Sequence, residues 1–251
     1  MKKIPQPSTR RWFGLVPLLA LFSILFAPGR MEAQGTLLGD GTFVNFDFEA
    51  ANVPANQPQA LPVSQALPGW IVYLGNTPAI SVLPNEFSLA GAIVSILSPQ
   101  WGGGPIFQGN YMVLIQAAEF PSSFTPATAA IAQTGQIPAG AKYLVFEAQT
   151  TGMDLTFDGK SLSLAGASPR GNYTLYEVNV ASFAGQTGEL RFTCPQANGT
   201  SWIYLDDLAF YSGSIPEPSP AAMLGLGAFI LGSAWRKPRA NPASPSHPPA
   251  S

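Results

Sequence analysis

One cysteine and one histidine in 251 residues remove several chemistries at once. Cys194 has no partner for an internal disulfide and cannot build a Cys-rich zinc site. It lies in the strand-like stretch Leu190 to Cys194 and reads as a small, half-buried residue. The lone histidine, His247, stands in a Pro/Ser-rich tail, so a Ser-His-Asp or Cys-His nucleophile has no general base in the body of the chain. Charge is also scarce, at 10% of residues. Between Gln34 and Gly213 no stretch keeps helical periodicity for three turns. Few charges, 25 glycines, 25 prolines and 46% apolar residues suit an extracellular all-β domain better than a helical cytosolic enzyme.

The formal net charge of −2 hides an uneven distribution. Residues 34–213 carry Lys142, Lys160, Arg170 and Arg191 against twelve acids, a formal −8. The remaining basic residues flank two apolar segments near the ends. An acidic body without clustered Lys and Arg argues against nucleic acid as a partner.

The first flank, residues 1–33, has the layout of a secretory signal peptide. Lys2, Lys3, Arg10 and Arg11 precede the apolar stretch Trp12 to Ala27, and Ala33 offers a small residue before a cut, so the mature chain is expected to begin near Gln34. Thr9-Arg10-Arg11-Trp12-Phe13 also resembles a twin-arginine export signal.

The second flank carries Pro216-Glu217-Pro218, then the uncharged run Ala221 to Trp235, then Arg236-Lys237. The run is fifteen residues long, seventeen with Ser219 and Pro220. That is the short end of a membrane span, which needs roughly 20 apolar residues. The basic pair would hold its end at the cytoplasmic face. This order of features resembles the PEP-CTERM sorting signal of bacteria that make exopolysaccharide, although fourteen residues follow Lys237 where such signals usually stop sooner. The resemblance implies a sorting signal over residues 214–240 with a membrane helix over about 219–235; residues 241–251 are expected to form a disordered tail. It also implies that exosortase, a membrane protease, recognises Pro216, Glu217 and Pro218, with Arg236 and Lys237 as the basic anchor.

Residues 34–213 read as one β-rich ectodomain. Alternating or apolar stretches mark strands at Thr42 to Glu49, Gly69 to Leu74, Ala92 to Leu97, Tyr111 to Gln116, Tyr143 to Gln149, Tyr173 to Val180, Glu189 to Cys194 and Trp202 to Phe210. Asp158-Gly159 between Leu155 and Leu164 is the strongest hairpin signal. Ala50 to Pro68 reads as a long loop and Asn198-Gly199 as a turn. About ten short strands predict a β-sandwich.

Asn45-Phe46-Asp47-Phe48-Glu49, with Leu67-Pro68-Gly69-Trp70, resembles the opening of galactose-binding-like jelly rolls, including several carbohydrate-binding modules. Tyr204-Leu205-Asp206-Asp207-Leu208-Ala209-Phe210 resembles their last strand. The resemblance implies a jelly-roll-like sandwich whose first and last strands pair. It also implies a structural calcium ion at Glu49 with Asp206 or Asp207. Sugar binding needs aromatic faces beside polar groups. Trp101, in the glycine-rich Gln100 to Pro105 loop, and Tyr111 are the ligand candidates, while Trp70 and Trp202 are expected to pack in the core.

These readings predict a non-catalytic, exported surface or extracellular-matrix protein. It would pass through the inner membrane, be processed at Pro-Glu-Pro and bind exopolysaccharide or a surface glycan. The alternative is a structural matrix protein without a ligand. A glycoside hydrolase using Asp154 with Asp158, or Asp206 with Asp207, is the weaker third reading.

Overall fold

The structure, a computed structural model, describes residues 35–54, 59–88, 91–99, 106–118, 127–196 and 201–215. The signal peptide, Trp101, Asn198-Gly199, Pro216 to Pro218, the apolar run, Arg236 and Lys237 lie outside the described residues. All described residues belong to the unit that begins at Gly35.

Between turns and loops the described chain is β, with a one-turn helix, Val63–Ala66, a 3-10 turn, Ala181–Phe183, and Pro99 in 3-10 conformation. No helix among the described residues is long and apolar enough to cross a membrane. In chain order the strands are β1 (Leu37–Gly39), β2 (Leu61–Pro62), β3 (Ile71–Leu74), β4 (Thr77–Ala79), β5 (Ser81–Pro84), β6 (Ile93–Leu97), β7 (Met112–Gln116) and β8 (Ala129–Gln136). They continue as β9 (Tyr143–Thr150), β10 (Asp154–Phe157), β11 (Lys160–Ser161), β12 (Leu164–Arg170), β13 (Tyr173–Asn179), β14 (Thr187–Cys194) and β15 (Trp202–Tyr211). Nine form one sheet in the order β12-β13-β9-β15-β7-β6-β5-β2, with β1 also on β15; the other six run β11-β10-β14-β8-β3-β4.

Period-2 alternation makes each strand two-faced, and the apolar faces of both sheets meet in one core. Phe146, Ile203 and Leu205 come from the larger sheet, and Ile131, Leu155 and Phe192 from the smaller. Phe146 and Phe192 meet edge to face at 5.3 Å across the sandwich. The expected β-sandwich is therefore the observed fold. First and last strands pair, Leu37 opposite Tyr211.

Three points of detail differ from the sequence reading, beside the short β2 and the one-turn helix that interrupt the expected Ala50 to Pro68 loop. Thr42 to Glu49 is not a strand. Asn45 and Phe48 take positive φ, which breaks any ladder, and the segment turns repeatedly while burying Phe43, Phe46 and Phe48. Its backbone is satisfied by the Gln133 side chain, which accepts from Val44 N and donates to Val44 O, and Phe46 O accepts from Leu208 N. Second, β8 carries no clean alternation in AAIAQTGQ, yet it sits centrally in the smaller sheet, between β14 and β3. Third, Cys194 is wholly buried, and burial pushes its thiol up to about 11. The Asp158-Gly159 hairpin forms as expected, with positive φ at both turn residues and Phe157 opposite Lys160.

Candidate functional site

The outer face of the larger sheet, turned away from the core, is where polar and aromatic side chains converge. On β15, Ile203 and Leu205 point into the core, so Trp202, Tyr204 and Asp206 point out. Met112 and Leu114 of β7 and Leu97 of β6 join them in a second, smaller apolar cluster. Ile106 and Phe107, from the segment before β7, pack down on this cluster beside Trp202 and Tyr204. Phe107 also meets Tyr173 of β13, ring centroids 5.3 Å apart. Phe107, Tyr173, Trp202 and Tyr204 remain half-exposed. Trp202 thus belongs to the outer cluster, a departure from the expected core packing. Trp70 does pack in the core, against Phe46 and Phe48, and its indole donates to Asn45 O at 3.0 Å.

Beside the aromatics lies an acidic centre. Glu147 and Asp206 stand opposite each other on neighbouring strands and are 3% and 1% exposed. Gln108 covers both: its amide N donates to Asp206 Oδ2 at 3.2 Å, and its Nε2 donates to Glu147 Oε1 at 2.8 Å and to Asp207 Oδ2 at 3.1 Å. Burial, reinforced by the charges of Glu147 and Asp207 and partly offset by the backbone amides of Gln108 and Asp207, pushes Asp206 up to about 8. Glu147 Oε2 is buried without a hydrogen bond of normal geometry. Burial raises the pKa of the Tyr173 hydroxyl, and the nearby Glu147 carboxyl adds to the rise.

Asp47, Glu49, Gln108, Gly109, Asp206 and Asp207 line one open cavity of about 220 Å³. The β15 bulge between Asp206 and Ala209, with Asp207 at φ 45°, turns Asp207 out into it. Burial raises the pKa of Asp207, with Asp47 adding to it; burial raises that of Asp40, with Asp47 and Asp207 adding. The fold therefore brings together the three acids named from sequence, Glu49, Asp206 and Asp207, and adds Asp47.

Their oxygens already face N–H donors. Glu49 Oε1 accepts from Asn110 N (2.6 Å) and Tyr111 N (2.9 Å), and Oε2 accepts from Asn110 Nδ2 (2.9 Å). Asp47 Oδ1 accepts from Glu49 N, and Asp206 Oδ1 from Asp207 N. Among the described residues no three His, Cys, Asp or Glu side chains are disposed to hold one metal ion. Glu49 works here as a clamp on the turn before β7. Gly109 is part of that clamp, since its φ is +60° and a Cβ there would lie 2.2 Å from Glu49 Oε1. Tyr111, named as a ligand candidate, is half-buried against the main core, its backbone held by Glu49.

Sequence reasoning passed over Asp47, Gln108, Glu147 and Tyr173. Outward alternation on β9 marks Glu147 and on β13 marks Tyr173; nothing in the sequence signals that Gln108 folds over both acids.

No protein-family model matches the chain, and no curated protein sequence matches it. Solved structures do resemble it. TmCBM61, solved with β-1,4-galactotriose, is 13% identical with a TM-score of 0.39, over 68% of this chain and 97% of that one. A Stig cyclase, Fisc from Fischerella sp. TAU, is also 13% identical, with a TM-score of 0.43 over 72% and 100% of the two chains. CBM28, a carbohydrate-binding module specific for non-crystalline cellulose, is 12% identical with a TM-score of 0.32, over 57% and 88%. At these values no residue's role is transferred.

Proposed function

We propose that this is an exported, non-catalytic glycan-binding protein that is processed at Pro216-Glu217-Pro218 and retained at the cell surface or in an exopolysaccharide matrix. The observation that supports glycan binding is the convergence of half-exposed Phe107, Tyr173, Trp202 and Tyr204 with polar groups on one sheet face. A pyranose packs its apolar face on a ring while neighbouring polar groups take its hydroxyls. Trp101 remains a proposed contact from the loop that precedes these residues.

The test is retention of the full-length protein on a panel of insoluble polysaccharides, comparing wild type with Trp202→Ala and Trp101→Ala. Retention that falls at least tenfold in either variant supports the reading. Absence of retention on every polysaccharide favours a structural matrix protein, and turnover of any polysaccharide would revive a hydrolase. Processing is tested by intact mass of the cell-surface form. Loss of residues 221–251, blocked by Glu217→Ala, supports exosortase as the partner; retention of Ser251 makes the segment an ordinary anchor.

The acidic cavity is the proposed seat of a calcium ion, a hard cation that takes oxygen ligands. Asp47 Oδ2 and Asp207 Oδ1 accept none of the hydrogen bonds described; burial raises the pKa of Asp40 and of Asp207, and the charge of Asp47 adds to both rises. Seating calcium requires Asp206 or Glu49 to turn an oxygen away from its N–H donor.

A further inference from the structure

The segment that leads out of the domain does not leave freely. Gly35 N donates to Ser214 O at 3.1 Å, Thr36 N to Ser212 Oγ at 3.0 Å and Ser212 N to Thr36 O at 3.0 Å. A Cβ on Gly35 would fall 2.1 Å from Gly213 O, so this approach requires glycine. On the other side Glu177 of β13 takes the chain with both oxygens: Ser214 Oγ donates to Oε2 at 2.7 Å and Ile215 N to Oε1 at 2.8 Å. The last described residue before Pro216 is therefore fixed to the sheet.

Ile215 is held at one end of a cavity of about 150 Å³ on the outer face of β12 and β13. Gly166 lies opposite Glu177, Ser168 opposite Leu175 and Arg170 opposite Tyr173, so these side chains share one face. Glu177 marks one end of the groove and Arg170 the other, about 13 Å apart at 3.3 Å per residue. Arg170 has no ion pair among the described residues; the pair there is Arg191 with Glu189.

We propose that this groove seats the chain's own Pro216-Glu217-Pro218 segment, with the Glu217 carboxylate paired to the Arg170 guanidinium. Pro218 pushes Glu217 into extended conformation. Two extended residues beyond Ile215 carry the backbone about 7 Å along the groove, and the side chains of Glu217 and Arg170 span the remainder. The charges are complementary, and an arginine fork binds a carboxylate with two hydrogen bonds. Docked in this way, the motif reaches a protease only after Glu177 and Arg170 release it, so the ectodomain governs its own processing. That consequence rests on the sorting reading; the docking itself does not.

The test is amide hydrogen exchange on the full-length chain in detergent. The Glu217 amide should exchange at least tenfold more slowly than in a free Ser-Ile-Pro-Glu-Pro-Ser peptide. Arg170→Glu should abolish that protection while leaving the Ile215 amide protected, and Arg170→Glu with Glu217→Lys should restore it. Should Arg170→Glu also expose Ile215, Arg170→Gln serves as the milder variant. Exchange of Glu217 at the peptide rate in the wild type overturns the docking, as does protection that survives loss of the Arg170 charge. Neither result bears on whether the tail is removed in cells, which the intact mass reads separately.

Discussion

Glu147 and Asp206 face each other across two neighbouring strands, both buried, beneath a single glutamine that donates to each of them. Burial pushes the carboxyl of Asp206 up to about 8, and the neighbouring Glu147 charge adds to the rise.

That rise has a consequence for stability. An acid whose folded pKa lies above its unfolded value binds more protons folded than unfolded between the two. Asp206 therefore stabilises the fold at low pH, and its contribution is lost as pH rises from about 4 to about 8, at up to ~1.4 kcal/mol per pH unit. The unfolding midpoint should decline across that window. Asp206→Asn should flatten the decline, and an unchanged slope in that variant would place the proton elsewhere.

Gly109→Ala should cost about 1–3 kcal/mol, because the new methyl meets Glu49 Oε1 and the residue keeps positive φ. Glu49→Ala should cost a similar amount by stranding the amides of Asn110 and Tyr111. Chemical denaturation reads both. If the two losses add fully in the double variant, the residues do not act as one clamp.

Gly159→Val should destabilise by about 1 kcal/mol or more, while Gly159→Asn should be nearly neutral. Nothing lies within 4 Å of a Cβ at this position, so the cost comes from φ +72° and not from a clash. Equal effects of Val and Asn in thermal melts would argue against that cause.

Calcium should raise the melting temperature of the full chain, and chelator should reverse the gain. Asp47→Asn and Asp207→Asn should each reduce the shift. A melting temperature that ignores both calcium and chelator removes the cation from this cavity.

Much was legible in the residues alone. Alternation in the stretches that became β9, β13, β14 and β15 is a local property, since neighbouring side chains in a strand must point to opposite faces. The Asp158-Gly159 turn is equally local, set by which residues tolerate positive φ. Composition and the lone His247 bounded the chemistry without coordinates. The tertiary structure decided what depends on partners distant in sequence. Phe43, Phe46 and Phe48 look like strand residues, but their rings are buried by turns whose backbone bonds come from Gln133 and Leu208. β8 has little pattern of its own, because a central strand is held by neighbours on both sides. The resemblance to jelly rolls implies Glu49 as a calcium ligand. Only the approach of residues 109–111, some sixty positions on, shows where its oxygens are spent. Gln108 over Glu147 and Asp206, and Glu177 on the departing chain, are of the same kind: a hydrogen bond is set by distance in space, which the order of residues does not encode pair by pair.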